Sequence, residues 1–269
     1  MQEQLLLKIG RISFIHNDPA FYYLEHKTPN DIQLISATPR ELLNSLLHEE
    51  LDFAPISSIA IHQHRDKLTP VPTLSVHSEG PALSTIVIAR KDQEREIRDG
   101  DQIAITNYTE TSARMLGAIL RRRKIKTVFI NSSFTSIDQL LHEAPYALVI
   151  GNEALAASAS NDRRKILDLG EEWWSITKHP AVFAVSAVRT SLLEQRRADA
   201  ERIISLVKES LEYGYANLGQ VINYTAQQSG FQPNLLAEYF THLRLDYTKR
   251  VEQGYEYLMN SLGSASHDL

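Results

Sequence analysis

Residues 5–25 read LLLKIGRISFIHNDPAFYYLE. The apolar opening Leu5-Leu6-Leu7-Lys8-Ile9-Gly10 continues to Ile15 with the character of a strand. A polar corner, His16-Asn17-Asp18, follows, and Pro19 suits the first turn of a short helix over Ala20 to Glu25. Strand, corner and helix make the first step of an α/β chain. Asn, Asp and Pro are turn formers, which accounts for a corner by itself. The end of a strand beside a helix start is also where α/β proteins meet their ligands. Both readings of His16, Asn17 and Asp18 are open on these residues alone.

The same step recurs downstream. Ile32 to Ser36 predicts a second short strand. Thr38-Pro39-Arg40-Glu41 then supplies an N-cap, a proline at the first helical position and a glutamate three residues after the cap. Leu42, Leu43, Leu46 and Leu47 give that helix an apolar face. Leu51 to Pro55 predicts another strand, with Ser57-Ser58 capping a helix from Ile59 to about His64. LSTIVIAR, residues 83–90, is a β-branched strand after the loop His77-Ser78-Glu79-Gly80-Pro81.

The polar run Lys91 to Asp101 reads as a crossing into a second unit, where the rhythm restarts. Strands are expected over residues 102–106, 127–130 and 147–150, and helices over 113–121 and 137–143. Asn107 to Ser112 is a polar corner. The chain returns through Leu167 to Glu172 and the strand AVFAVSAVR, residues 181–189, which is too apolar for a surface. Beyond Ser191 the pattern is helical: Ile203, Val207 and Leu211 recur every four residues. Gly230 and Pro233 break the run before Leu235 to Leu243, a last helix covers about Tyr247 to Leu262, and the tail from Gly263 is expected to be mobile. This order predicts an α/β protein of two lobes around a cleft. Residues 1–90 with 188–269 form the first lobe and residues 91–187 the second.

With 269 residues there is enough chain for one large domain or two ordinary lobes. A hydrophobic share of 43% and a charged share of 23% are those of a globular protein. The formal net charge is -5, and the strongest basic cluster is Arg121-Arg122-Arg123-Lys124. A nucleic-acid partner needs a broader basic footprint, and cations suit a helix C-terminus. There are no cysteines, which removes disulfides, thiolate chemistry and zinc sites built on Cys. No apolar stretch approaches the roughly 18 residues of a membrane span, and the N-terminus lacks a secretory pattern. The expectation is a cytoplasmic protein, monomer or homodimer, with no membrane or nucleic-acid partner.

Polar residues gather at the corners. They are His16-Asn17-Asp18, Ser57-Ser58, Ser84-Thr85, Thr109-Glu110-Thr111-Ser112 and Gly151-Asn152-Glu153. Ser, Thr, Asn and Asp are good N-caps, which explains each corner singly. As a set they suit an anion, because helix N-termini present N–H groups and a favourable dipole and hydroxyls add donors. The ligand this suggests is a small carboxylate. His62-Gln63-His64 with Asp66 makes a poor metal site, since residues two apart on a helix face different sides. Neither a phosphate-cradling glycine loop nor a nucleophile elbow occurs. Trp173-Trp174 either lines a ligand or packs an interface.

Several blocks resemble one known family in the order in which they occur. They are KIGRISFIHNDPAFYYLE, LLHEELDFAPISSIAI, SVHSEGPALSTIVIAR, ALVIGNEAL, DLGEEWWSITKHPAVFAVSAVR and YFTHLRLDYT. The family is that of the chorismate dehydratases of menaquinone biosynthesis, which open the futalosine route. The resemblance spans nearly the whole chain. Its most specific parts are Leu51-Asp52…Pro55-Ile56-Ser57 and Asp168-Leu169-Gly170…Trp173. It implies a bilobed fold of the periplasmic-binding-protein type (type II). It also implies a hydro-lyase that converts chorismate to 3-[(1-carboxyvinyl)oxy]benzoate without a cofactor.

The resemblance further implies His16 and Asn17 at the reacting centre. Ser57, Ser84, Thr85, Thr111, Ser112 and Asn152 then hold the substrate. The family pattern departs at three points. Phe-Leu-Asn becomes Phe14-Ile15-His16, with Asn17 one place later. Ile-Gly-Asp becomes Ile150-Gly151-Asn152. A Trp after Phe-Ala-Val becomes Ser186. A carboxylate-binding protein without chemistry and a sister enzyme acting on another cyclic acid are the alternatives.

Overall fold

The computed structural model describes residues 6–93, 96–106, 109–160 and 164–262. The expected mobile tail from Gly263 and the start of the 107–112 corner lie outside these residues. In chain order the elements are β1 (Leu7–Ile12), α1 (Asp18–His26), β2 (Ile32–Ala37), α2 (Pro39–Leu47), β3 (Phe53–Ser57), α3 (Ser58–Gln63) and β4 (Leu68–Ser78). Next come β5 (Thr85–Ala89), β6 (Gln102–Thr106), α4 (Glu110–Arg122), β7 (Val128–Ser132), α5 (Ile137–Glu143), β8 (Tyr146–Ile150) and α6 (Gly151–Ala159). They are followed by β9 (Arg164–Asp168), α7 (Leu169–Thr177), β10 (Ala181–Arg189), α8 (Thr190–Gln195), α9 (Arg197–Ala216) and α10 (Leu218–Ser229). The last are α11 (Pro233–His242), β11 (Arg244–Asp246) and α12 (Lys249–Leu262).

The chain forms two α/β units. The first runs through Val76 and returns over Ala184–Thr248; the second holds His77–Phe183 and the helix that starts at Lys249. One sheet has the order β11-β4-β10-β3-β1-β2. Within it β1 is parallel to β2 and β3, as crossover helices require, and β10 enters antiparallel to β3. The other has the order β7-β6-β8-β5-β9, with β6 parallel to β7 and β8 and with β5 antiparallel to β8 and β9.

Two boundary expectations are corrected. The strand at residues 85–89 does not belong to the first lobe, because its ladder partners, β8 and β9, lie in the second sheet. Helix α12 also belongs to the second unit. Tyr257 accepts a hydrogen bond from Arg122 at 3.0 Å and stacks on His179, and Pro180 approaches Gly254 where a Cβ would meet it at 3.0 Å.

Local chemistry sets the elements of the first unit. Thr38 and Glu41 form the full reciprocal capping box of α2, with the Glu41 carboxylate accepting from Thr38 N at 2.8 Å. Behind β1, Ile9, Phe21, Leu24, Leu42 and Phe53 are buried in its core. In the second unit Ile86, Ile88, Ala104, Leu140, Ala147 and Val149 form the core between sheet and helices. Among the described residues no helix is long and apolar enough to cross a membrane.

Candidate functional site

The first corner does not behave as a capping corner. Phe14 leaves β1 in an extended conformation, and Ile15–Asn17 form a single 3-10 turn closed by Asp18 N–H on the Ile15 carbonyl. Asn17 occupies the N-cap position of α1 but makes no side-chain cap bond. It is 0% exposed, and neither its amide nitrogen nor its amide oxygen finds a partner among the described residues. His16 is 6% exposed, and both of its ring nitrogens lack partners in the same way. A buried polar group without a hydrogen bond costs about 1–3 kcal/mol, so four such atoms on adjacent residues ask for an explanation. A ligand whose polar groups meet them supplies one.

The electrostatics of this corner are unusual. Burial, helped by the Arg11 guanidinium, pushes the His16 imidazole down to about 3, so the ring is neutral at pH 7. Asp18 is buried and pushed up, because desolvation outweighs Arg11 and the hydrogen bonds it accepts. Its Oδ1 accepts from Arg11 at 2.8 Å and its Oδ2 from the Thr225 hydroxyl at 2.6 Å. Of the three polar corner residues, Asp18 has hydrogen-bond partners, while the side chains of His16 and Asn17 have none among the described residues.

The other candidates have more ordinary duties. Ser57 caps α3, accepting from Ala60 N at 3.3 Å. Ser84 is buried at the mouth of β5; its hydroxyl lies 3.5 Å from the Ala82 carbonyl and its own carbonyl accepts from Gly151 N. Thr85 is buried and faces Ile150 across the β5–β8 ladder. Thr111 and Ser112 are buried in the first turn of α4, and Asn152 is half-buried in the first turn of α6.

Within the second unit Ser84, Thr85 and Asn152 are therefore neighbours at one end of the β5–β8 pair. Leu83, just before them, adopts φ 62°, a left-handed conformation uncommon for a side chain of its kind. It is held there by its N–H to Asp168 Oδ2 at 2.8 Å and by the Ser158 hydroxyl on its carbonyl at 2.6 Å. Backbone held away from its easy conformations is frequent where a loop presents groups to a ligand.

Reading the sequence missed Thr106. Its hydroxyl, at the end of β6, is buried and unpartnered among the described residues. The signal was present in a polar residue closing an apolar strand. The family departure at Ser186 is structural: its hydroxyl donates to the Val71 carbonyl at 2.8 Å and accepts from Leu74 N at 2.9 Å, tying β10 to β4. Trp173 is buried, edge-on to Tyr257, and Trp174 lies beneath Arg250 at 5.0 Å, so both pack within the second unit.

A family model described as menaquinone biosynthesis matches residues 7–263. The chain belongs to this menaquinone-biosynthesis family. It shares its fold with a protein from Archaeoglobus fulgidus, at 18% identity and a TM-score of 0.78 over 98% of each chain. A ligand-binding component of an ABC-type import system from Staphylococcus aureus is similar at 14% identity and a TM-score of 0.70, over 96% of this chain and 91% of that one. The periplasmic aliphatic sulphonate binding protein of Escherichia coli follows at 14% and 0.65, covering 95% and 85%. The menaquinone-biosynthesis protein thus has the two α/β lobes of the periplasmic-binding-protein fold.

Proposed function

We propose that this protein is a chorismate-dehydratase-like lyase of the cytoplasm, converting chorismate to 3-[(1-carboxyvinyl)oxy]benzoate and water. The observation that carries the reading is the pair of buried, unpartnered side chains His16 and Asn17 at the end of β1, in a chain of the menaquinone-biosynthesis family. The step removes a ring proton and expels the ring hydroxyl, which leaves with a proton as water. The new aromatic ring makes the reaction strongly downhill. The protein then has only to orient the substrate, exclude bulk water and receive a proton.

A neutral His16 suits that task. Its reluctance to take a proton comes from burial and from Arg11. Two substrate carboxylates bring negative charge that counters Arg11 and favours the protonated ring, so binding raises its proton affinity when a base is needed. Asn17 offers two donors and an acceptor for a substrate hydroxyl or carboxylate. Ser57, Ser84, Thr85, Thr111, Ser112 and Asn152 are the proposed carboxylate-binding groups, each at a strand end or helix start of its own unit.

Incubation of the purified protein with chorismate at neutral pH, followed by mass spectrometry, tests the reading. The enol-ether benzoate is expected from the native chain. His16→Gln is expected to lower turnover by about 10²–10⁴-fold with modest loss of binding. A folded native protein that makes no product overturns the dehydratase reading.

The second reading is a binding protein without chemistry. It is favoured by His16 standing at the family's Asn position and by the neutral Asn152 at the place of its Asp. Thermal shifts with aromatic and cyclic acids, unaccompanied by conversion, would mark that outcome.

A further inference from the structure

The turn that carries His16 and Asn17 is held by helices far along the chain in its own unit. The next residue, Asp18, closes that turn with its backbone N–H and anchors its carboxylate on Arg11 and Thr225. Thr225 lies in α10, 207 positions away in sequence, and is fully buried. Arg11 also pairs with Glu25, whose other oxygen accepts from the Tyr224 hydroxyl at 3.1 Å. One residue past Asp18, Pro19 presses on α9: a Cβ on Gly214 would stand 1.7 Å from the Pro19 carbonyl oxygen. Leu24 N donates to Ser210 Oγ of the same helix at 3.3 Å.

His16 and Asn17 have no side-chain hydrogen bonds of their own among the described residues. Their orientation is therefore set by packing and by the placement of the 15–18 turn. That turn has one charged anchor, the Asp18 carboxylate, which is costly to keep buried and is shared between Arg11 and Thr225. Removing the Thr225 donor leaves the carboxylate to follow Arg11 or to take up a proton. Either response pulls on the residue that closes the turn.

We propose that Thr225 is a positioning residue: through its hydrogen bond to Asp18 it sets where the imidazole of His16 and the amide of Asn17 present their polar atoms. The consequence for catalysis rests on the dehydratase reading; the consequence for the His16 ring does not. Thr225→Val keeps the shape and deletes the hydroxyl, whereas Thr225→Ser keeps the donor. The ring ¹⁵N–¹H resonances of His16, identified by their loss in His16→Gln, are compared in the native chain and both variants. The kcat and KM for chorismate are measured alongside.

Thr225→Val is expected to shift the His16 resonances and to lower kcat by about tenfold or more, with KM changed less than about threefold. Thr225→Ser is expected to match the native chain in both. If Thr225→Val does not fold, Asp18→Asn takes its place and is expected to shift the same resonances. Unchanged His16 resonances in the folded variant overturn the proposal, as does a serine variant that shifts as far as valine. A native protein that makes no product removes the dehydratase reading, while the resonances still decide the positioning role.

Discussion

Burial fixes the state of His16 at neutral pH and gives it a signature in stability. The folded ring titrates at about 3, against 6.5 for an unperturbed histidine. Above pH 6.5 neither folded nor unfolded chain holds a proton there, and the stability is fully present. Between 6.5 and about 3 the unfolded chain takes up a proton that the folded chain refuses. Stability therefore falls with falling pH across that window, by about 1.4 kcal/mol per pH unit for this one group. Urea unfolding of the native chain and of His16→Gln at pH 7 and pH 5 measures it. The variant is expected to lose less stability between the two, and an equal loss contradicts a buried neutral ring. The sequence showed a histidine at a strand end. What it did not show is that Asn17, although it stands at the N-cap position of α1, makes no side-chain cap bond there. N-capping follows from local geometry, and that geometry is known only once the chain is folded.

Among the elements, the blocks that identify the family most sharply turn out to hold the architecture. Asp52 accepts from Lys8 N at 2.8 Å and pairs with Arg189, joining β1, β3 and β10 at one point. Asp168 accepts from Ala82 N, Leu83 N, Gly170 N and Glu171 N at 2.8–3.2 Å, so it caps α7 and fastens the strained loop before β5. Gly170 is needed beside it, since a Cβ there would stand 2.2 Å from Ser78 Oγ. Asp168→Ala strips partners from four backbone donors and is expected to destabilise the protein by about 4 kcal/mol or more. Chemical denaturation reads it, and a loss under about 1 kcal/mol would show that the loop is held by other means. Local signals were legible at this scale: the capping box of Thr38 and Glu41 appears where the residues placed it. Strand β4 was not legible, because Pro70 and Pro72 interrupt its pattern. Its eleven residues are flanked on one side by a β11 of only three, which leaves room for residues that cannot donate. The Thr225–Asp18 bond was beyond reach for another reason: no periodicity connects residues 207 positions apart.

At the level of the whole chain, the repeated strand-and-helix step made two α/β units legible, but the polar run near residues 91–101, read as the crossing, falls inside the second unit. The boundary was misplaced because the partner of a strand is a long-range choice. The apolar run of β5 fits either sheet, and its antiparallel pairing with β8 and β9 decides the matter. The same limit applies to function. The polar strand ends were visible in the sequence, but only the hydrogen bonds separated His16 and Asn17, whose buried side chains find no partner among the described residues, from Ser186, whose hydroxyl serves the fold. The most direct test of this separation is a crystal structure of the protein grown with chorismate. It is expected to hold substrate or product with polar atoms within hydrogen-bond distance of a His16 ring nitrogen and of the Asn17 amide. A bound molecule that leaves both side chains untouched would contradict the account.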